Sequence, residues 1–206
     1  MTEWSPTQYL QFEKQRTQPA IDLAARVADR SVRAAVDVGC GPGNSTAVLR
    51  RVFPKASLLG VDLSPEMVEK AANRYPDIPF RVCDAAALTG QYDLVFSNAC
   101  LQWIPHHDSL IPKLMERLTD GGVLAVQMPM NGAEPLYRII REVTAEAKWG
   151  FQNVRLETNE TCKPEVYCDI LSDCASSFDM WEIKYYHSLS IRGWARLMAV
   201  WPPREA

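Results

Sequence analysis

The stretch that most constrains this chain is residues 34–46. A short apolar run, Ala34-Ala35-Val36-Asp37-Val38, ends in Gly39-Cys40-Gly41-Pro42-Gly43 and gives way to Asn44-Ser45-Thr46 and a helix-like segment. A run that short and apolar, bounded by glycines, reads as a strand buried on both faces. Glycines let the backbone turn sharply and leave no side chain between it and a ligand. A strand, a glycine-rich turn and a helix make the opening unit of a parallel sheet, and further units must extend it.

The chain repeats the unit. Helical spacing over residues 21–27 precedes it, and residues 44–53 form its helix, with Asn44 or Ser45 as the expected cap and Val48, Leu49, Val52 and Phe53 inward. Residues 57–61 read as a second strand. Ser64-Pro65 starts the next helix, with a hydroxyl to cap exposed N–H groups and then a proline in the first turn. Residues 80–83 and 92–97 read as strands three and four. Residues 107–118 read as a helix whose start leaves His106 and His107 exposed. Gly121-Gly122 opens a fifth strand over 123–127. Beyond Pro129 the spacing predicts a helix over 133–149, an irregular polar insertion over 150–163, a helix over 164–174 and a sixth strand over 179–186. The expected fold is α/β, a doubly wound and mostly parallel sheet covered on both faces.

Charge and cysteine usage narrow the partners. Twenty-two Lys and Arg against 25 Asp and Glu give a net charge of −3, which argues against nucleic acid or an anionic membrane as partner. No run approaches the ~20 apolar residues that a bilayer needs, and Met1-Thr2-Glu3-Trp4 is not a basic, apolar leader. Six cysteines include no C-x-x-C pair, and three histidines form no cluster with them at zinc-site spacing. The expectation is a cytoplasmic protein with reduced cysteines and no metal.

Ligands of open parallel sheets bind beyond the carboxyl ends of the strands. A dinucleotide loop wants G-x-G-x-x-G with its pyrophosphate on a helix N-terminus. Gly39 and Gly41 fit, but Asn44 holds the third position and a glycine falls at 43 instead. Asp37, just ahead of the glycines, would be unfavourable beside a pyrophosphate and favourable beside a ligand ammonium group, directly or through water. Asp62 ends strand two about 20 residues on, where a carboxylate accepts from two ribose hydroxyls. Asp84 ends strand three, placed to accept from an adenine amino group. Any one of these acids alone reads as a helix cap. Three at successive strand ends beside this loop call for a ligand with a ribose, an adenine and an amine but no phosphate, which excludes NAD.

Over residues 34–128 that constellation resembles the S-adenosylmethionine-dependent class I methyltransferases. A closer resemblance, to the trans-aconitate 2-methyltransferase family, is carried by Trp4-Ser5-Pro6 with Tyr9, Leu10 and Phe12, by Arg16 and Pro19, by Ser97-Asn98-Ala99-Cys100-Leu101-Gln102-Trp103, by Ala125-Val126-Gln127-Met128-Pro129, and by Tyr185-Tyr186-His187 after Trp181. The resemblance implies a Rossmann-like domain over 1–206, with an N-terminal helical cap over 1–33, a cofactor-binding core over 34–129 and a substrate-side segment over 130–206. It implies S-adenosyl-L-methionine as cofactor. Asp37, Gly39 and Gly41 would line its methionine and ribose end, and Asp62 the ribose hydroxyls, with Leu63 as a further contact. Asp84 and the backbone of Ala85 would take the adenine, and Asn98 would lie beneath the methionine part.

The implied reaction is esterification of trans-aconitate or a related small carboxylic acid. A carboxylic acid with a pKa near 4 is already ionised at pH 7, so no general base and no catalytic dyad are expected. Alignment and stripping water from the nucleophile suffice. Candidate substrate contacts are Arg16, Gln102, Trp103, Tyr186 and His187, whereas Arg138 and Arg141 read as a surface face. The sequence departs from the family at Met130, where relatives tend to carry an Asp, and follows it loosely over 188–206. The usual final antiparallel strand is therefore expected to be missing, leaving strands five and six with open edges. Two other readings stand beside this one: a non-catalytic cofactor-binding homologue, and a methyltransferase with a different acceptor.

Overall fold

The structure is a computed structural model that describes residues 13–130, 134–151 and 161–186, without the side chains of residues 13–16 and Leu136. Helix α1 (Glu13–Arg26) precedes the first strand. Strands β1 (Ala34–Val38), β2 (Ser57–Asp62), β3 (Phe80–Val82), β4 (Tyr92–Asn98) and β5 (Leu118–Gln127) alternate with helices α2 (Asn44–Val52), α3 (Pro65–Arg74) and α4 (His107–Met115). Helices α5 (Pro135–Ala145) and α6 (Pro164–Cys174) follow. The strands form one sheet in the order β3-β2-β1-β4-β5, and every ladder is parallel. This order reverses direction at β1, the place where a doubly wound sheet opens a crevice.

Two cores flank the sheet because the side chains of β1 alternate. Ala35 faces a cluster built from Leu23 and Ala24 of α1, Val48 and Leu49 of α2, and Leu58, Leu94 and Phe96. Val36 and Val38 face the opposite cluster, with Val61, Val95, Leu101, and Leu110 and Leu114 of α4. By that alternation Asp37 shares its side with Ala35 and points toward α2. A carboxylate is thus built into an otherwise apolar layer. Helix α3 starts as its sequence requires, with the Met67 N–H donating to Ser64 Oγ at 3.4 Å and Pro65 in the first turn.

Three local expectations give way to tertiary structure. Neither Asn44 nor Ser45 caps α2; Gly43 stands at that position with φ 87°, because the Ser45 hydroxyl is drawn inward to Asp37. Strand β5 starts at Leu118, ahead of the glycines. Leu118 pairs with Tyr92 and Val123 with Leu94, so residues 119–122 bulge opposite Asp93, with Gly121 at φ 74°. Such a bulge keeps the strand in register while lengthening one side of it.

The third difference is the expected sixth strand. Residues 179–186 join no ladder, and the described sheet has five strands. Met180, Trp181 and Ile183 are all exposed, so the period-two pattern has no face to bury. A strand pattern yields a strand only where its backbone joins a ladder, and although β5 ends the described sheet, this run does not pair with it. Here the aromatic groups dock on α1 instead. Tyr185 Oη–H donates to Asp22 Oδ2 at 2.6 Å, and the Arg26 guanidinium lies 4.2 Å over the Trp181 ring.

Candidate functional site

The carboxyl ends of β1, β2, β3 and β4 carry Asp37, Asp62, Asp84 and Asn98, the side chains singled out by the sequence, and parallel registry brings them to one edge of the sheet. Asp37 is opposite Gly60 and Phe96, Asp62 opposite Val82, and Asn98 opposite Gln127. The loop after β1 crosses this edge. Both the Gly39 and Cys40 N–H groups donate to the Val61 carbonyl, at 2.8 and 3.0 Å, which curls the chain over the end of β2.

The glycines serve two different needs. Gly39 has φ 73°, and a Cβ there would lie 2.0 Å from Cys100 Sγ; it is a glycine because the loop after β4 packs onto it. Gly41 has φ 52°, and a Cβ there would meet no atom within 4 Å. Its bare surface faces open space, as a backbone that a ligand must approach closely would.

Asp37 is fully buried. Its Oδ2 accepts from Ser45 Oγ–H and Thr46 Oγ1–H, both at 2.6 Å, while its Oδ1 is buried with no partner. Burial pushes its carboxyl up to about 6, although the two hydroxyls pull it down. Ser45 and Thr46 are site residues that sequence reading missed. The available signal was a Ser-Thr pair in the first turn of the helix that follows a buried strand acid. Asn98 Oδ1 is likewise buried without a partner. Unmet acceptors of this kind are costly unless a donor arrives. A ligand ammonium group carries such donors, so the residues present fit S-adenosylmethionine at this end.

Asp62 accepts from the Gly41 N–H through Oδ2 and from the Ser64 N–H through Oδ1, each at 2.9 Å. It therefore caps and also ties the glycine loop to the end of β2. Leu63 beside it is 63% exposed. Asp84 Oδ1 accepts from the Ala86 N–H at 2.8 Å and caps the 3₁₀ turn Ala85–Ala87, in which Ala85 is buried. The capping role and an outward-facing carboxylate coexist, since Asp84 remains exposed.

The candidate substrate contacts are scattered. Gln102 lies in the 3₁₀ turn Leu101–Trp103 after β4 and is almost wholly buried, its Nε2–H donating to the Ala99 carbonyl at 2.8 Å while Oε1 has no partner. Trp103 is half-buried in the same turn. Tyr186 is 90% exposed, beside the Tyr185 that docks on α1. The side chain of Arg16 and all of His187 lie outside the described residues, and Arg138 and Arg141 are exposed on α5. His107 overturns the exposure expected of it. It is buried because α6, distant in sequence, covers it with Tyr167. His106 keeps its exposure and adopts φ 62° ahead of α4.

A family model described as a methyltransferase domain matches residues 35–122, the span from β1 into β5. A trans-aconitate 2-methyltransferase of Methylobacterium radiotolerans is 42% identical over 212 residues, covering 98% of this chain and 82% of that protein. One of Shigella flexneri is 40% identical, covering 92% and 74%. Among solved structures, Haemonchus contortus phosphoethanolamine N-methyltransferase 2 in complex with S-adenosyl-L-methionine superposes with a TM-score of 0.59 at 20% identity, over 77% of this chain and 36% of that one. That likeness speaks for the fold alone.

Proposed function

The chain belongs to the trans-aconitate 2-methyltransferase family, and from that premise we propose how its residues carry out methyl transfer to trans-aconitate. The protein is an S-adenosylmethionine-dependent methyltransferase. The observation that carries the reading is identity of about 40% sustained over nearly the whole chain and about three quarters or more of each relative.

When bound, S-adenosylmethionine supplies a methyl group made electrophilic by its sulfonium. Asp37, kept in place by Ser45 and Thr46, holds the amino group directly or through water, and Asn98 lies beneath the methionine part. Gly39 and Gly41 let the backbone close on the methionine and ribose. Asp62 accepts from the ribose hydroxyls with Leu63 alongside, and Asp84 and the Ala85 N–H take the adenine edge. Arg16, Gln102, Trp103, Tyr186 and His187 remain the substrate-side candidates. No side chain needs to remove a proton, because a carboxylate is already ionised at neutral pH. The chain's work is to align that carboxylate with the methyl group and exclude water. Catalysis in the cytoplasm, on a small carboxylic acid and with neither nucleic acid nor membrane as partner, completes the proposal. No helix among the described residues is long and apolar enough to cross a membrane.

The test is transfer of labelled methyl to trans-aconitate, scored as a base-labile ester, with cis-aconitate, citrate, isocitrate and malonate alongside. Trans-aconitate is expected to be labelled fastest. Asp62→Ala, which frees the glycine loop and removes the ribose acceptor, is expected to lower kcat/KM by about 100-fold or more. A folded wild-type protein that binds S-adenosylhomocysteine but labels a different acid faster would overturn the acceptor and keep the cofactor. One that labels none would favour the non-catalytic reading.

A further inference from the structure

His107, buried at 2% exposure, has no part in the chemistry above. Its Nε2 is 2.8 Å from the Leu101 carbonyl and its Nδ1 is 2.6 Å from Tyr167 Oη. A carbonyl can only accept, so Nε2 carries the proton, Nδ1 accepts, and the Tyr167 hydroxyl donates to it. The same hydroxyl oxygen accepts from the Cys162 N–H at 3.0 Å, with Met128 Sδ standing 4.0 Å away. Every polar group in this buried cluster is matched without a net charge. Burial pushes the Tyr167 phenol up to about 12, so it remains a hydroxyl donor.

The cluster joins parts of the chain that have no sequence proximity. Leu101 opens the turn that carries Gln102 and Trp103, and Asn98 ends β4 just ahead of it. Met128 follows β5. Cys162 and Tyr167 belong to α6 and its approach. The core and the segment around α6 are thus pinned together through one imidazole and one phenol, at the turn that carries the candidate substrate contacts Gln102 and Trp103.

We propose that His107 and Tyr167 are positioning residues for methyl transfer: they pin the turn after β4 to α6 and so set the place of the acceptor relative to the methyl donor. The proposal rests on the methyltransferase reading above. Its physical basis is that an in-line displacement is sensitive to small misplacements of the reacting atoms, and the His107–Tyr167 pair is the buried side-chain link by which α6 bears on the position of the turn.

The test compares the full chain with its Tyr167→Phe, His107→Gln and His107→Ala variants in kcat and KM for trans-aconitate, S-adenosylhomocysteine affinity and thermal melting. Tyr167→Phe keeps the ring and its packing and removes only the hydroxyl. It is expected to lower kcat/KM for the acceptor about tenfold while cofactor affinity stays within about twofold. His107→Gln, whose amide N–H reaches toward the Leu101 carbonyl, is expected to recover to within about threefold of wild type, and His107→Ala is not. Acceptor kinetics unchanged in Tyr167→Phe, or loss of cofactor affinity in step with kcat, would overturn the proposal. If His107→Ala fails to fold, the phenylalanine and glutamine variants decide. Should the wild-type chain label no acid at all, the methyltransferase reading fails separately, and amide exchange decides the pinning. Exchange at least about tenfold faster over residues 99–103 and unchanged over 39–43 in Tyr167→Phe supports it, and equal exchange in both loops overturns it.

Discussion

The glycine loop over residues 39–43 and the segment over 161–186 are held in place by different physics. The loop is fixed by backbone N–H donors that meet the end of the next strand: Gly39 and Cys40 donate to the Val61 carbonyl, and Gly41 and Ser64 donate to the Asp62 carboxylate. Its hydrogen bonds stay within β1, β2 and the helices between and after them, with Gly41 and Asp62 21 residues apart. The segment is held by side chains that reach across the fold, Tyr167 to His107 and Tyr185 to Asp22, 60 and 163 residues apart in sequence, with Trp181 under Arg26. Between them Phe178, Met180, Trp181 and Ile183 stay exposed. A site built from local backbone geometry announces itself in the sequence. A site built from long-range side-chain contacts announces itself only once the chain is folded.

The largest expected effect comes from within the loop, by setting its two glycines against each other. Gly39→Ala places a Cβ against Cys100 Sγ at a φ of 73°, and should destabilise the fold by about 3 kcal/mol or more, read as a loss of Tm with cofactor affinity falling along with it. Gly41→Ala meets no atom, so only its positive φ costs, about 1 kcal/mol. Cofactor affinity should nonetheless fall at least about tenfold, because the new methyl occupies the approach to the backbone. Equal Tm losses for the two variants would erase the distinction between a packing glycine and a ligand-facing one.

A smaller effect tests whether Asp37 is held at a cost for a ligand's benefit. Its carboxyl is raised from 3.8 to about 6, burial being the main cause. The unfolded chain therefore ionises first as pH rises, so this group lowers stability progressively between about pH 4 and 6, and its full penalty is present above that window. Asp37→Asn should remove that penalty, which on a shift of about two units is on the order of 3 kcal/mol before the new amide N–H, left buried, takes part of it back. The apo variant is expected to match or exceed wild-type Tm at pH 7.5 and to lose that relative advantage by pH 4. Its S-adenosylhomocysteine affinity should be at least about tenfold weaker, and the wild-type affinity should rise with pH through about 6. A variant that binds as tightly as wild type would detach Asp37 from the ligand.

The smallest effect lies in the segment. Tyr185→Phe removes the hydroxyl that donates to Asp22 and leaves the ring. The expected loss is about 1 kcal/mol or less, the usual net value of one hydrogen bond, with cofactor affinity unchanged. Limited proteolysis within 175–186 should quicken while the core stays intact. Cofactor affinity that drops with it would mean that α1 and the sheet edge are coupled more tightly than two surface contacts imply.

Legibility in the sequence tracked the range of the forces involved. The apolar runs of β1, β2 and β4 were readable because a strand buried on both faces leaves no polar alternation to confuse them. The helix over 164–174 was readable to the residue, opened by Pro164. Asp37, Asp62 and Asp84 were found because each sits at the end of such a run. Their partners were less visible: Ser45 looked like a helix cap and is instead a support for Asp37, because its hydroxyl is turned inward to donate to a buried carboxylate. The start of β5 was placed five residues late because Gly121-Gly122 reads as an opening turn, whereas the bulge opposite Asp93 lets the strand begin ahead of it.

By itself, then, the sequence determined the alternation of strands and helices, the parallel sheet this alternation requires, and the loop and acids at its carboxyl edge, since each depends on residues close enough in the chain to shape one another. Only the tertiary structure decided that His107 is interior and that residues 179–186 lie against α1 and stay out of the sheet. Burial and pairing are properties of what arrives from elsewhere in the chain. A histidine at a helix start is exposed until Tyr167 covers it, and a strand-like run stays unpaired when side-chain contacts hold it elsewhere.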